Sequence, residues 1–313
     1  MTNNTLLREK ISMKQMYRNY GVFAVFLLQI IIFSFTSPFF FTQGNILNIL
    51  RQISMTGILA MGMTACIITA GIDLSVGSVI GLVTVVVAGS MDMGVTAVIF
   101  IGLSIGAAIG LVNGIGIAYG KLQPFIMTLG TMTAVSGLSL MYSRGLPTTI
   151  RNRDFLILGN GMIGRIPLPV IYMFSLLVIM TLVMKFTPFG RQVYSIGSNR
   201  EAARLSGVNV KRTLVIVHVL SGVFAGIAGI IFASQLGQGS PIAGAGFETT
   251  AIAAVIVGGA SMSGGEGNMV GTFIGSCIIG ALANYMNLMG VNPFTQQFLS
   301  GAIIILAVLI HRK

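Results

Sequence analysis

Apolar windows of bilayer length recur from one end of this chain to the other. Crossing the hydrocarbon layer takes roughly 20 apolar residues per helix. Windows of about that length fall at 20–36, 46–69, 75–90, 95–119, 124–142, 169–186, 213–235, 247–263, 268–289 and 295–311. They lack the period-two alternation of strands, so helices are expected, which satisfy their own backbone groups in lipid. With 54% hydrophobic and 8% charged residues, little sequence is left over for a soluble domain. The expected fold is an all-α polytopic membrane protein of about ten transmembrane helices, forming a single transmembrane domain over 1–313.

Charge orients it. If the N-terminus is cytoplasmic, an even number of crossings returns the C-terminus to the same side. Thirteen of the 18 basic residues then lie inside: Arg8, Lys10, Lys14, Arg18, Lys121, Lys185, Arg191, Arg200, Arg204, Lys211, Arg212, Arg312 and Lys313. Five lie outside: Arg51, near the outer end of the second window, and Arg144, Arg151, Arg153 and Arg165. The bias obeys the positive-inside rule. It also accounts for the net charge of +11 better than nucleic acid does. Residues 1–19 are expected to form a cytoplasmic segment, and no small-residue cleavage site follows the first apolar run, so that run is read as a retained helix. The polar outer stretch 143–168 carries four Arg; an interfacial helix, a contact with an acidic partner or a fault in the assumed topology would each explain it. Cys66 and Cys277 fall inside apolar windows, outside any metal-ligand spacing, and read as small buried side chains.

An internal repeat is hinted at. A shift of 194 lays Gly71, Val76, Gly77, Ser78, Ile80 and Gly81 over Gly265, Val270, Gly271, Thr272, Ile274 and Gly275. Transporters are often built from such copies. Gly102, Gly106, Gly110 and Gly114 recur every fourth residue, and Gly222 and Gly226 repeat the spacing. Stripes of this kind let helices approach closely, within one chain or across a subunit seam.

The least hydrophobic stretch is Thr187 to Thr213, which with Lys185 holds six basic residues and one acid, Glu201. Ser198-Asn-Arg-Glu201 fits a capping box with Ser198 as N-cap. Ala202, Ala203, Arg204 and Leu205 are good helix formers, and Gly207 suits the position past the end. A helix of about two turns is marginal alone in water, so it needs packing against the membrane domain or a partner. A water-soluble partner docked on the cytoplasmic face is the expected reason for this cationic island.

Other polar positions are few. In Thr69-Ala-Gly-Ile-Asp-Leu-Ser-Val-Gly-Ser78, Gly71 and Gly77 bracket Asp73 and Ser75, either of which can cap the third helix. Glu266 lies in the equivalent break of the second half, and Glu248 opens the eighth window, where an acid favours a helix N-terminus. Asn113, Asn284 and Asn287 are candidates for an aqueous path, and His218 reads as structural. The chain has seven acids in all, too few near membrane helices to favour ion-coupled transport. No G-x-x-x-x-G-K-[ST] loop is present, and neither a Ser–His–acid set nor a metal cluster stands out, so no enzyme is read here.

The chain resembles the permease subunits of bacterial ABC importers for ribose and other monosaccharides. The resemblance covers nearly all of it and rests on Asn45-Ile-Leu-Asn-Ile-Leu50, Gly62-Met-Thr64, Gly71-Ile-Asp-Leu-Ser-Val-Gly-Ser78, Gly190-Arg191, Gly207-Val-Asn209, Ala251-Ile-Ala-Ala-Val255 with Gly258-Gly259, Gly271-Thr272 and Leu288-Met-Gly-Val291. It implies a multi-pass subunit of the bacterial plasma (inner) membrane that lines a translocation path. Two permease subunits, identical or related, would pair with two cytoplasmic ATP-binding subunits, and an external sugar-binding protein would deliver the solute. ATP and Mg would be used by the ATPase, with no cofactor on this chain. Residues 187–213 would be the ATPase-coupling loop, with Gly190, Arg191, Ser198, Arg200, Glu201, Ala202, Arg204 and Gly207 at the contact. Thr250 and Glu266 depart from the acid and the Lys that ribose permeases often carry at those places. Permeases for autoinducer sugars or branched-chain amino acids, and secondary ion-coupled transporters, are the alternatives.

Overall fold

A computed structural model describes residues 13–311. Arg8, Lys10, Arg312 and Lys313, on which the orientation partly rests, lie outside the described residues, as do residues 1–12 of the expected N-terminal segment. Helices occupy every expected window: α1 (Met13–Thr36), α2 (Gln43–Ile68), α3 (Val76–Gly89), α4 (Val95–Ala118), α5 (Pro124–Ser143), α7 (Leu168–Phe186), α10 (Val210–Leu236), α11 (Phe247–Val257), α12 (Met269–Leu288) and α13 (Pro293–His311). Between them lie α6 (Arg153–Asn160), α8 (Pro188–Ser198) and α9 (Arg200–Leu205). Four two-residue strands complete the list: β1 (Thr148–Thr149), β2 (Met162–Ile163), β3 (Ile166–Pro167) and β4 (Gln238–Gly239). Strand β1 pairs with β4, and β2 with β3, both antiparallel.

Among the described residues six helices are long and apolar enough to cross a membrane: α2, α4, α5, α7, α10 and α12. The expected count of ten is therefore not reached on length and composition alone. Helices α3 and α11 have 14 and 11 residues, about 21 and 17 Å at 1.5 Å per residue, against a hydrocarbon layer of roughly 30 Å. The eighth window was expected to run to 263, but α11 stops at Val257, where Gly259 takes a positive φ of 92° and turns the chain.

Helices α2 and α10 form the buried centre. Helix α10 packs on α4, α3 and α2, and α2 also packs on α12, α11 and α7. The outer faces of α4, α5 and α7 expose Phe100, Ile115, Phe125, Phe174 and Ile179, as helices bathed in lipid do. The α4 glycine stripe is spent inside the chain. A Cβ on Gly106 would strike the Gly222 carbonyl, and one on Gly110 the His218 carbonyl. These backbones touch, and a subunit seam is not needed to explain the spacing.

Residues 240–246 are not helical. They run back along α3, where Ser240 N donates to Thr84 Oγ1 (3.1 Å) and Thr84 Oγ1 donates to Ser240 O (2.9 Å). Gly81 faces the Pro241 carbonyl and Gly77 the Gly244 carbonyl at distances no side chain would permit. Irregular backbone in a membrane domain survives where protein buries and satisfies it, and α3 does both. The stretch 143–168, expected as a polar outer loop, holds α6. Asn152 caps it by accepting from Phe155 N (3.2 Å), and Phe155 is fully buried.

Candidate translocation cavity and coupling surface

A cavity of about 1320 Å³ opens among the N-terminal half of α2, the last turns of α10 and α12, the start of α11, and α13. Amides and hydroxyls dominate its polar lining: Asn45, Asn48, Gln52 and Thr56 on α2, Asn160 on α6, Thr249 and Thr250 on α11, and Gln296 and Gln297 on α13. Most are held. Asn45 and Asn284 exchange side-chain hydrogen bonds at 3.0 and 2.9 Å. Gln296 Nε2 donates to Asn287 Oδ1 at 2.7 Å. Thr249 and Thr250 donate to the Gly246 carbonyl at 2.8 and 2.9 Å. Arg51 also lines the cavity, with its Nε buried and unbonded. Among the described lining residues none is Asp or Glu. Amide groups offer both donors and acceptors without charge, which suits a neutral solute dense in hydroxyls.

Of the expected path residues, Asn284 and Asn287 lie in the cavity wall. Asn113 is outside it, fully buried in α4, where its Nδ2 donates to Ser75 Oγ (2.9 Å). It belongs to the turn between α2 and α3. There Asp73, 0% exposed, accepts from the Ser75 amide (3.0 Å) and the Ser75 hydroxyl (2.6 Å). The expected side-chain cap on α3 is absent: Ser75 sits at the N-cap with helical backbone, and its hydroxyl is spent on Asp73. Gly71 N closes the turn on the Cys66 carbonyl (2.9 Å). Gly77 leaves room for the Glu248 carboxylate, which a Cβ would displace. Asp73 Oδ2, Asn113 Oδ1 and His218 Nε2 are buried without hydrogen-bond partners among the described residues, and the His218 ring is anchored through Nδ1 to the Leu214 carbonyl (2.8 Å). Among the described residues no His, Cys, Asp and Glu cluster could hold a metal ion, and both cysteines are free.

The cationic island lies at the opposite end of the bundle and is two helices where one was expected. Thr187 caps α8 by accepting from Gly190 N (3.4 Å), with Pro188 at the first position, where a missing N–H costs nothing. Gly190 is buried, and a Cβ there would strike the Met184 backbone. The capping box is displaced by one residue. Asn199 is the N-cap of α9, its Oδ1 accepting from Glu201 N (3.1 Å) and Ala202 N (2.9 Å). Ser198 is the last residue of α8, and its hydroxyl donates back to the Tyr194 carbonyl (3.0 Å). Glu201 does not reach back. It takes a bidentate bond from Arg204, whose Nε lies 3.0 and 3.1 Å from the two carboxylate oxygens. That bond holds the Glu201 carboxyl below its ordinary range. Both groups are fully exposed, so the pair adds little to stability.

What holds α9 is Ala203, buried in an apolar cluster with Ile117, Ala118, Ile196 and Leu214. Its other face is free: Arg200, Glu201, Ala202 and Arg204 are exposed, and Leu205 is 75% exposed. Gly207, at a φ of 85°, ends the segment. Arg191 on α8 is exposed as well. Three contacts among those that tie α8 inward are specific: Tyr194 Oη donates to the Gly267 carbonyl (2.8 Å), Gln192 Oε1 accepts from Thr213 Oγ1 (3.1 Å), and Gly197 lies against the Ile68 carbonyl at the end of α2. Gly265 N donates to that same carbonyl at 2.8 Å.

Helix α8 and the α2 cavity residues went unread in the sequence, though a signal existed. Asn45, Asn48 and Gln52 stand at i, i+3 and i+7 of a largely apolar helix, which is one polar stripe.

Residues 45–308 match the family described as branched-chain amino acid transport system / permease component. The ribose import permease protein of Bacillus subtilis is 44% identical over 310 residues, covering 98% of this chain and 96% of that protein. The ribose import permease protein of Escherichia coli (strain K12) is 40% identical over 321 residues, covering 100% and 99%. The L-arabinose transport system permease protein of the same strain is 38% identical over 309 residues, covering 97% and 94%. No solved structure matches the chain. Permease relatives along the whole length, together with six helices long and apolar enough to cross a membrane among the described residues, identify a transport subunit and not an enzyme, multi-pass in the bacterial inner membrane. The chain belongs to the branched-chain amino acid transport system / permease component family.

Proposed function

We propose that this chain is the permease subunit of an ATP-driven importer for a monosaccharide such as ribose. In this reading it forms the translocation path and couples to a separate ATPase. One observation carries it. A cavity whose polar wall is mainly neutral amides, with Arg51 among them, lies at one end of α2, and an exposed cationic platform lies against the other end, at Ile68. Sugars are named for the relatives matched above. The lining supports that class: an amino acid would bring an ammonium group that no carboxylate in the described wall would meet.

The partners follow from the same reading. Helices α8 and α9 face a cytoplasmic ATP-binding subunit, where ATP and Mg act. A second permease, the same chain or a relative, completes the membrane path, and an external binding protein delivers the sugar to the cavity end. Both termini are cytoplasmic, and the crossings beyond the six long helices come from α1 and α13 and from α3 and α11 together with the irregular backbone that flanks those two short helices. Two features support the internal repeat. The 194-residue shift lays α1 on α10 and α3 on α12, and α10 packs on α3 as α1 packs on α12. Gly77 and Gly81, like their equivalents Gly271 and Gly275, each admit a foreign backbone carbonyl.

The decisive experiment is uptake by the reconstituted complex bearing Arg191→Ala with Arg204→Ala. Insertion and assembly are expected to persist while ATP hydrolysis no longer drives uptake, and wild-type uptake would sink the coupling role. Proton-driven uptake by this chain alone in liposomes would favour a secondary transporter.

A further inference from the structure

Arg51 is an isolated charge in a neutral cavity. It stands on α2 beside Asn48 and Gln52, in the wall of the 1320 Å³ space. The side chain is half-buried, and its Nε is sealed from solvent with no acceptor among the described residues. The nearby acid of α11, Glu248, is not available to it. That carboxylate accepts from the Gly246 amide (3.2 Å) and faces Gly77 on α3, outside the lining set.

A cation held among membrane helices is costly unless something neutralises or solvates it. A packing role or a lipid anchor would leave Arg51 stretched to the surface, its stem covered and its head in headgroups. Here Arg51 lines the cavity, and its Nε is closed off from solvent. It presents a planar fork of donors and accepts nothing. The neighbouring amides can turn either a donor or an acceptor to a ligand, but Arg51 can only donate and only attract negative charge.

We infer that Arg51 sets the charge selectivity of the cavity, donating to oxygen atoms of the solute, favouring neutral or anionic polyols and turning away cationic ones. This inference deepens the reading of the cavity as a sugar path and rests on it. The chemistry is general to polyols: vicinal hydroxyl oxygens or a carboxylate match the fork, whereas an ammonium group meets a like charge with no acid to offset it.

Ligand-observed NMR on the complete permease–ATPase complex in nanodiscs, without ATP or delivering protein, tests it with three probes of one carbon skeleton: gluconate, glucose and glucosamine. The wild type should bind them in that order, with steps of about fivefold, the size of one charge–charge contact in a wet cavity. Arg51→Gln should bring the three together, and Arg51→Glu should reverse the order. If Arg51→Gln keeps the wild-type order, the inference is overturned, and that result does not depend on Arg51→Glu folding. The importer reading is judged separately, by ATP-dependent uptake, so the two can fail independently.

Discussion

Asn199 satisfies two backbone amides with a single oxygen at the start of a six-residue helix. Few other contacts hold that helix, because Ala203 alone among its residues is buried. An N-cap of this kind is worth about 1 kcal/mol, a large share of what α9 has. Asn199→Ala should therefore loosen α9 locally, speeding hydrogen exchange at Glu201 and Ala202 about fivefold while the bundle stays intact. Ser198→Ala should leave those amides unchanged, since the Ser198 hydroxyl serves the Tyr194 carbonyl. If Ser198→Ala gives the larger effect, the cap is misplaced. The sequence pattern located this turn to within one residue and named the wrong capper. Ser and Asn cap equally well, and choosing between them required knowing that Ser198 is already inside α8. That helix hides because its apolar content is low and its anchor is a hydroxyl on Tyr194, bonded to a residue 73 positions away.

Close helix contact was readable wherever it came with a period. The four-residue spacing of Gly102, Gly106, Gly110 and Gly114 pointed to a tight packing face, and α10 is what it packs on. Gly106→Leu should push α4 from α10 along their whole contact, since the side chain would need the space of the Gly222 backbone. Overpacking of this kind costs about 1–3 kcal/mol or more, so the purified protein should show a clear fall in its unfolding midpoint in detergent. Gly130→Leu on α5, with nothing near its α-carbon, is the control, and equal midpoints for the two would argue against the contact. Helix lengths were less readable. The eighth window looks continuous because Gly258 through Ser263 are small or weakly polar and keep the hydropathy up. Backbone conformation breaks it instead, with Gly259, Gly264, Gly265 and Gly267 all at positive φ. Likewise the turn at 240–246 contains no charge to announce it, and its stability comes from Thr84 and the α3 glycines, which local sequence does not show.

Across the whole molecule, α2 is the part that touches both the cavity and α8. Its first half carries Asn45, Asn48, Arg51 and Gln52 into the cavity, and its last carbonyl, at Ile68, receives Gly265 N while lying against Gly197 of α8. A 26-residue helix is about 39 Å long and resists bending, so in the proposed coupling a displacement of α8 would be carried along it to the cavity wall. The turn at 258–268 adds a parallel route, since Tyr194 bonds Gly267 and α12 follows directly into the Asn284 and Asn287 wall. Coupling of this sort requires a two-state element that both sites bias, and the α8–α2 contact is the narrowest place to test for one. Gly197→Val fills the space between α8 and the Ile68 carbonyl. Glucose should still bind in the cavity, whose lining residues are unchanged. ATP-driven uptake should fall at least about tenfold, equivalent to a coupling loss of about 1.4 kcal/mol. Normal uptake with Val at 197 would mean that the ATPase end communicates with the cavity by a route that bypasses α2.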